Sequence, residues 1–340
     1  MRLTNKEVIV FCNKVGTLLQ SGYEIDKSLY MLKNQFSKKI NKITSQIIDN
    51  INSGKSISES FKQINIFSNF FISMLTCGET KGNLDDVLFE ISNHYIDKEN
   101  IKTKFITSLL YPTILFISLL ISINFLLFFI VPSYENMFLG SEVEISLITK
   151  SIINLSIFVR NNYFYIFLGF ILFFISVFLV IKSKSYIKSY ILFKIPMVNK
   201  LFINTKIINF ANVFSSLIKS GVNIMNSINL SSEVLDDDFL KERLNLSINS
   251  IKEGNSLRYS FEKAQIFPKI FLDMIDIGER SGKLECSLNF IINLYKDELN
   301  ATLERFSKYM EPTLIFINSI FVILFLLSMT TPIYDSINLI

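Results

Sequence analysis

The chain has 340 residues and a mass of 39.3 kDa, with 34 Lys+Arg against 30 Asp+Glu, a mean hydropathy of +0.39, 33 Phe, no Trp, one His and three Cys. Hydropathy that positive, with charge at only 19%, argues against a soluble enzyme and against a disordered chain, because some stretches must be nearly charge-free. A lone imidazole (His94) excludes His-rich metal sites, a net charge of +4 is too small to point to nucleic acid, and the scattered Cys12, Cys77 and Cys286 read as buried thiols of a reducing compartment.

The N-terminal stretch carries charges at Arg2, Lys6, Glu7 and Lys14 without a long apolar core, so it is not read as a secretory signal peptide. Phe11, Val15, Leu18 and Leu19 then fall on one face of a helix, and Gly22 is placed to end it. Ile25, Leu29 and Leu32 continue as a second helix, and Ile40, Ile43, Ile47, Ile48 and Ile51 form the stripe of a third, broken by Gly54. Ser56 and Glu59 fit a capping box for a fourth. Phe70, Phe71, Met74 and Leu75 lie on a fifth, and a sixth begins near Asn83 with Asp85 and Asp86 in its first turn, where carboxylates favour the dipole. No strand pattern competes. Residues 1–104 are thus expected to form a bundle of about six helices.

Three windows without Asp, Glu, Lys or Arg follow, at 105–134, 161–181 and 312–334. Spanning the hydrocarbon core takes about 20 apolar residues, and all three are apolar on every face. The expected spans are 105–132, 163–181 and 312–332. Between the first two, a loop at 133–162 contains a helical stretch, read either as an amphipathic helix at the membrane surface or as part of a longer, tilted second span. Residues 182–306 form a linker and a second bundle, and 333–340 a short tail. Basic residues crowd one side of every span: Lys98, Lys102 and Lys104, then Lys182, Lys184, Lys188, Lys194, Lys200 and Lys206, then Lys296, Arg305 and Lys308. That asymmetry predicts a cytoplasmic N-terminus and an extracytoplasmic C-terminus.

The chain also repeats itself. At an offset of 200, Phe67, Phe71, Met74, Gly78, Glu79, Gly82 and Leu84 recur as Phe267, Phe271, Met274, Gly278, Glu279, Gly282 and Leu284. Pro112 recurs as Pro312. At an offset of 199, Phe11, Leu18 and Gly22 meet Phe210, Leu217 and Gly221. The unit is a helical bundle followed by a span, present twice, with the middle span returning the chain to its starting side.

No phosphate-binding GxxxxGK[ST], GxSxG or HExxH occurs, so neither a catalytic site nor a cofactor or metal is expected, and the chain is not expected to be an enzyme. The acidic run Asp236–Asp238 reads as a helix cap or turn, with a divalent-ion site as the weaker reading. In the doubled GExxGxL element, the two glycines allow a tight helix-to-helix corner, the glutamate can accept N–H bonds at the start of the next helix, and the leucine anchors that helix. The corner is read as structural, and Glu79 and Glu279 equally as a contact surface. Asn124 and Asn318 are candidates for intramembrane hydrogen bonds to another helix. Pro112, Glu311 and Pro312 mark where the spans meet the membrane surface, with the prolines suited to a first turn or a kink.

Two copies of this motif, each followed by a Pro-headed span, resemble the type II secretion F family, which includes the platform proteins of type IV pili, type II secretion and competence pili. The resemblance covers essentially the whole chain. It implies an all-α protein of the cytoplasmic membrane that contacts a cytoplasmic hexameric assembly ATPase, pilins or pseudopilins, other inner-membrane pilus components and membrane lipid. It also implies self-association, with Gly78, Glu79, Gly82, Leu84, Gly278, Glu279, Gly282 and Leu284 as motif positions. The few residues before the first bundle, where many Gram-negative relatives have a longer extension, favour a short Gram-positive-type platform. The competing function is a subunit of a membrane transporter or permease, disfavoured by three spans with no charge inside them.

Overall fold

The structure is a computed structural model that describes residues 3–33, 38–133, 147–166, 168–169, 172, 196–235 and 237–337. Among these there is no strand. Copy 1 consists of α1 (Asn5–Gln20), α2 (Ile25–Leu32), α3 (Lys38–Asn52), α4 (Ile57–Gln63), α5 (Asn69–Lys81) and α6 (Leu84–Phe125). A π-helical segment (Leu126–Ile130) extends α6, and α7 (Leu147–Asn161) follows. Copy 2 consists of α8 (Pro196–Lys219), α9 (Ile224–Glu233), α10 (Asp238–Lys252), α11 (Leu257–Ala264), α12 (Lys269–Ser281) and α13 (Leu284–Ile337). Most of the expected span at 163–181, the linker up to residue 195, and residues 134–146 of the expected loop at 133–162 lie outside the described residues. Contacts divide the chain into two units, Met1–Lys104 with Lys184–Thr302, and Phe105–Ser183 with Leu303–Ile340.

Glycine ends α1 and α8 where the sequence places it. After α1, the N–H of Gly22 reaches Leu19 and that of Tyr23 reaches Leu18, a Schellman closure that places Gly22 at φ +88. Gly221 closes α8 in the same way. The reciprocal capping box forms at α1, where Thr4 takes the N–H of Glu7 and the Glu7 carboxylate returns to Thr4, and not at α4 as the spacing of Ser56 and Glu59 predicts. Both bundle cores are built on four matching phenylalanines. Phe61, Phe67 and Phe71 stack beside Phe11, and Phe261, Phe267 and Phe271 beside Phe210, with the Phe67–Phe71 rings 4.5 Å apart and the Phe267–Phe271 rings 4.1 Å apart.

Three described helices are long and apolar enough to cross a membrane: Leu84–Ser133, Leu284–Leu327 and Asn199–Lys219. The first contains the expected span 105–132, and the second covers 312–327 of the expected span 312–332. The third lies within α8 and answers to packing instead. Its Phe210, Phe214 and Leu217 are fully buried, Lys200 pairs with Glu298 at 2.6 Å, and half of its most apolar window is covered by the bundle. Cysteine burial is also uneven: Cys12 is buried, but Cys286 is exposed on α13, contrary to the expectation of three buried thiols.

In the second unit, α6 and α13 continue as helix through Pro112 and Pro312, so neither proline lies in the first turn of a helix. Pro112 has no N–H for the carbonyl of Ser108 one turn back. That carbonyl accepts instead from the Ser307 hydroxyl of α13, at 2.7 Å. The π segment is served similarly, as Ser156 of α7 donates to the carbonyl of Leu127 at 2.7 Å. Leu127, Val131 and Phe325 form a small buried cluster with Ile152, Ile153 and Val159 of α7 packed on it. The helical stretch of the loop therefore docks on the end of the first span.

The Pro112–Ser307 arrangement predicts non-additive stabilities. Ser307→Ala is expected to cost about 1 kcal/mol by leaving the Ser108 carbonyl unpaired. In a Pro112→Ala background the new N–H takes that carbonyl, and the same substitution should cost close to nothing. Thermal unfolding of the detergent-solubilised set of four proteins tests this, and equal costs in both backgrounds refute it.

Candidate functional site

The doubled GExxGxL element forms the corner between α5 and α6 and again between α12 and α13. Its two glycines do different jobs. Gly82 and Gly282 sit at φ +74 and +68 with open space around them, so the backbone conformation requires glycine there. Gly78 and Gly278 are helical, and the following helix crosses over them. A Cβ on Gly78 would meet Val87 at 3.0 Å, and one on Gly278 would meet the Ser287 oxygen at 2.7 Å. The N–H of Asn83 closes the first corner on the Gly78 carbonyl at 3.0 Å. Leu284 is buried and Leu84 is half-buried against the copy 1 core.

The glutamates cap a helix, but not the one the sequence predicts. Glu79 reaches back to α4. It accepts from the N–H of Ile57 at 2.6 Å, the N–H of Ser58 at 3.0 Å and the Ser58 hydroxyl at 2.7 Å. Ser56 accepts from the N–H of Glu59. Three of the donors that every helix N-terminus leaves open are thereby satisfied. Glu279 does the same for α11, both oxygens lying 2.9 Å from the N–H of Leu257. The physical reason is direction: α4 packs against α5 with its N-terminus beside the last turn of α5, whereas the corner to α6 is already closed by backbone bonds. Copy 2 has Arg258 where copy 1 has Ser58, and Arg258 pairs instead with Asp273 at 3.2 Å and Asp276 at 3.6 Å. Burial pushes the Glu79 carboxyl up, but the bonds from Ser58 and Ile57 outweigh it, and its pKa lies below the ordinary value.

His94 is buried on α6, 4.7 Å from the Phe70 ring. Burial and then the charge of Lys98 push its pKa down to about 3, so it stays neutral at physiological pH. Asp237 caps α10 by accepting from Leu240 at 3.1 Å, and no metal-holding group of carboxylates, His or Cys occurs among the described residues. Asp236 lies outside them.

In the second unit, Tyr111 donates to Glu311 at 3.0 Å, joining α6 to α13. Asn124 is exposed and bonds back to its own helix at the Leu120 carbonyl, 2.8 Å away. Asn318 is half-buried, and its side-chain oxygen is enclosed without a hydrogen-bond donor among the described residues. Neither asparagine bridges two described helices. The sequence reading passed over Ser58, Tyr111 and Ser307. A usable signal existed for the caps, because Ser56 and Glu79 both recur, as Ser256 and Glu279, at one fixed offset.

The fold and site define a class: an all-helical membrane protein made of two copies of a bundle whose last helix continues at membrane-spanning length. The family model described as "Type II secretion system (T2SS), protein F" matches residues 11–132 and again 210–332, and the chain belongs to that family. It is 23% identical to the type II secretion system protein F of Xanthomonas campestris pv. campestris, over 98% of this chain and 84% of that one. It is 23% identical to the type IV pilus assembly protein PilC of Thermus thermophilus, over 98% and 83%. It is 25% identical to the "protein transport protein HofC homolog" of Haemophilus influenzae, over 97% and 85%.

Losing the cap should be visible in stability. Glu79→Ala is expected to destabilise the protein by about 1–2 kcal/mol at neutral pH. Because the folded-state pKa is lowered, the contribution is present above the ordinary carboxylate pKa of about 4.3 and is lost as pH falls through the lower folded value. Denaturation of wild type and Glu79→Ala from pH 7 downward should show the gap closing in acid; a gap independent of pH refutes the assignment.

Proposed function

We propose that the chain is the membrane platform of a type IV pilus, or of a related type II secretion or competence machine. In this role it couples a cytoplasmic assembly ATPase to the insertion of pilins or pseudopilins into a filament. The observation that carries this reading is the family match over both copies, each copy ending in a helix long and apolar enough to enter a membrane. The names of the relatives, secretion protein F and pilus assembly protein, support it. The basic flanks support a cytoplasmic-membrane protein with N-terminus inside and C-terminus outside, spanning three times.

The motif corners are the proposed contact surface for the ATPase. Since the Glu79 and Glu279 carboxylates are engaged in capping α4 and α11, a partner reads the shape they hold, together with exposed neighbours such as Thr80 and Arg280. The chain acts as scaffold and transmission element, with ATP chemistry on a separate chain.

Deleting the gene should abolish surface filaments in electron micrographs while pilin accumulates in the membrane; undiminished filaments overturn the platform role. Folded Glu79→Gln/Glu279→Gln protein should retain less of the ATPase in co-purification from detergent extracts. Wild-type retention removes the corners from the contact surface.

A further inference from the structure

The two bundles of the first unit meet through unlike faces, and each is left with one face unused. Copy 1 contributes α5 and α6, and copy 2 contributes α8 and α9. Glu90 of α6 pairs with Lys219 of α8, and Asn69 donates to Glu233 at 2.7 Å. Val213 and Leu217 are buried in the apolar cluster of copy 1, with Val222 and Leu230 packed on it.

The repeat offsets carry each of these faces onto the other copy. On α12 and α13, the positions of Phe70, Cys77 and Glu90 are held by Ile270, Ile277 and Phe290. Phe70 is 2% exposed, whereas Ile270 is 45%, Ile277 53% and Phe290 50% exposed. On α1, the turn after it and α2, the positions of Leu217, Val222 and Leu230 are held by Leu18, Tyr23 and Met31. Leu217 is fully buried, while Tyr23 and Met31 stand nearly half in solvent. Tyr23, Tyr30, Met31 and Ile48 line an open groove of about 380 Å³. Clustered apolar exposure on a bundle marks an interaction surface. The exchange of Glu90 for Phe290 sharpens this: the covered position holds a carboxylate with a lysine partner, and the open one holds a phenylalanine.

We propose that the α12/α13 face of one chain receives the α1/α2 face of a second copy, repeating between molecules the contact that joins the two bundles within each. The chain itself specifies this occupant. Its α5/α6 face binds α8/α9, and α1/α2 is the surface homologous to α8/α9. The open faces are complementary in chemistry, Ile270, Ile277 and Phe290 against Tyr23 and Met31, and their union buries no unpaired charge at these positions. Because two different faces meet, copies add head to tail and close into a ring when the rotation permits. This deepens the self-association of the proposed platform and rests on that reading only for its membrane setting.

The test uses the full-length protein in its own membranes, with Cys77→Ser and Cys286→Ser removing the accessible thiols; Cys12 is fully buried. The contact Glu90–Lys219 translates into Phe290 opposite Gln20 of the second copy. Chains carrying Gln20→Cys and chains carrying Phe290→Cys, co-expressed and treated with a short bis-maleimide, should give a covalent dimer containing one of each. Gln20→Cys chains linking only to each other, or no product, overturn the proposal. Separately, Ile277→Asp should weaken self-association of purified protein at least about tenfold, as an unpaired carboxylate in an interface centre does, without moving the thermal transition. Unchanged association also overturns it. Undiminished filaments in the deletion strain, with the mixed cross-link present in wild-type membranes, would count against the platform role alone and leave this contact standing.

Discussion

A helix that begins inside a bundle presents N–H groups that its own turns cannot satisfy, and the structure turns on how α4 and α11 meet that constraint. The carboxylates of Glu79 and Glu279 arrive from the neighbouring helix and take the open donors. This ties the short helix to the last turn of α5 or α12, one residue past a glycine that the next helix crosses. The position of α6, and of α13, therefore follows from a chain of requirements: cap, close crossing at Gly78 or Gly278, left-handed turn at Gly82 or Gly282. Around it the four phenylalanines of each core supply bulk apolar burial, but phenylalanine rings slide more readily than a charged hydrogen bond, so the cap sets the register of the packing.

Much of this was legible in the residues. Helix order, the stop at Gly22, the start near Asn83 and the repeat all follow from periodicity and offset, because each rests on local backbone chemistry. What stayed hidden is tertiary in origin. The direction of Glu79 depends on which helix end lies beside it, and sequence adjacency favoured α6 over α4. The replacement partner for the carbonyl that Pro112 leaves open is a hydroxyl from a residue almost two hundred positions away. Composition likewise scores α8 as long and apolar enough to span a membrane, although packed bundle helices bury its apolar face. Hydropathy alone cannot separate lipid from a protein interior, since both exclude water.

The two copies share a scaffold while their surfaces have parted. The same position holds Ser58 on a capping carboxylate in one copy and Arg258 in an ion-pair cluster in the other. Buried Phe70 corresponds to exposed Ile270. Interior positions are bound by volume, which a duplication preserves; surface positions are bound only by what covers them, and that differs once two bundles pack through unlike faces.

The Tyr111–Glu311 hydrogen bond joins residues that occupy the same place in the two copies. Two identical copies meeting through this same contact would set each residue against its own twin. Two halves of the second kind would bring Glu311 against Glu311, a like-charge encounter, and two of the first would pair phenol with phenol. Only the mixed pair offers a donor to a carboxylate. The duplication has thus become a heterodimer written as one polypeptide, in which the covalent connection guarantees a one-to-one ratio and the Tyr–Glu bond rewards the correct partner.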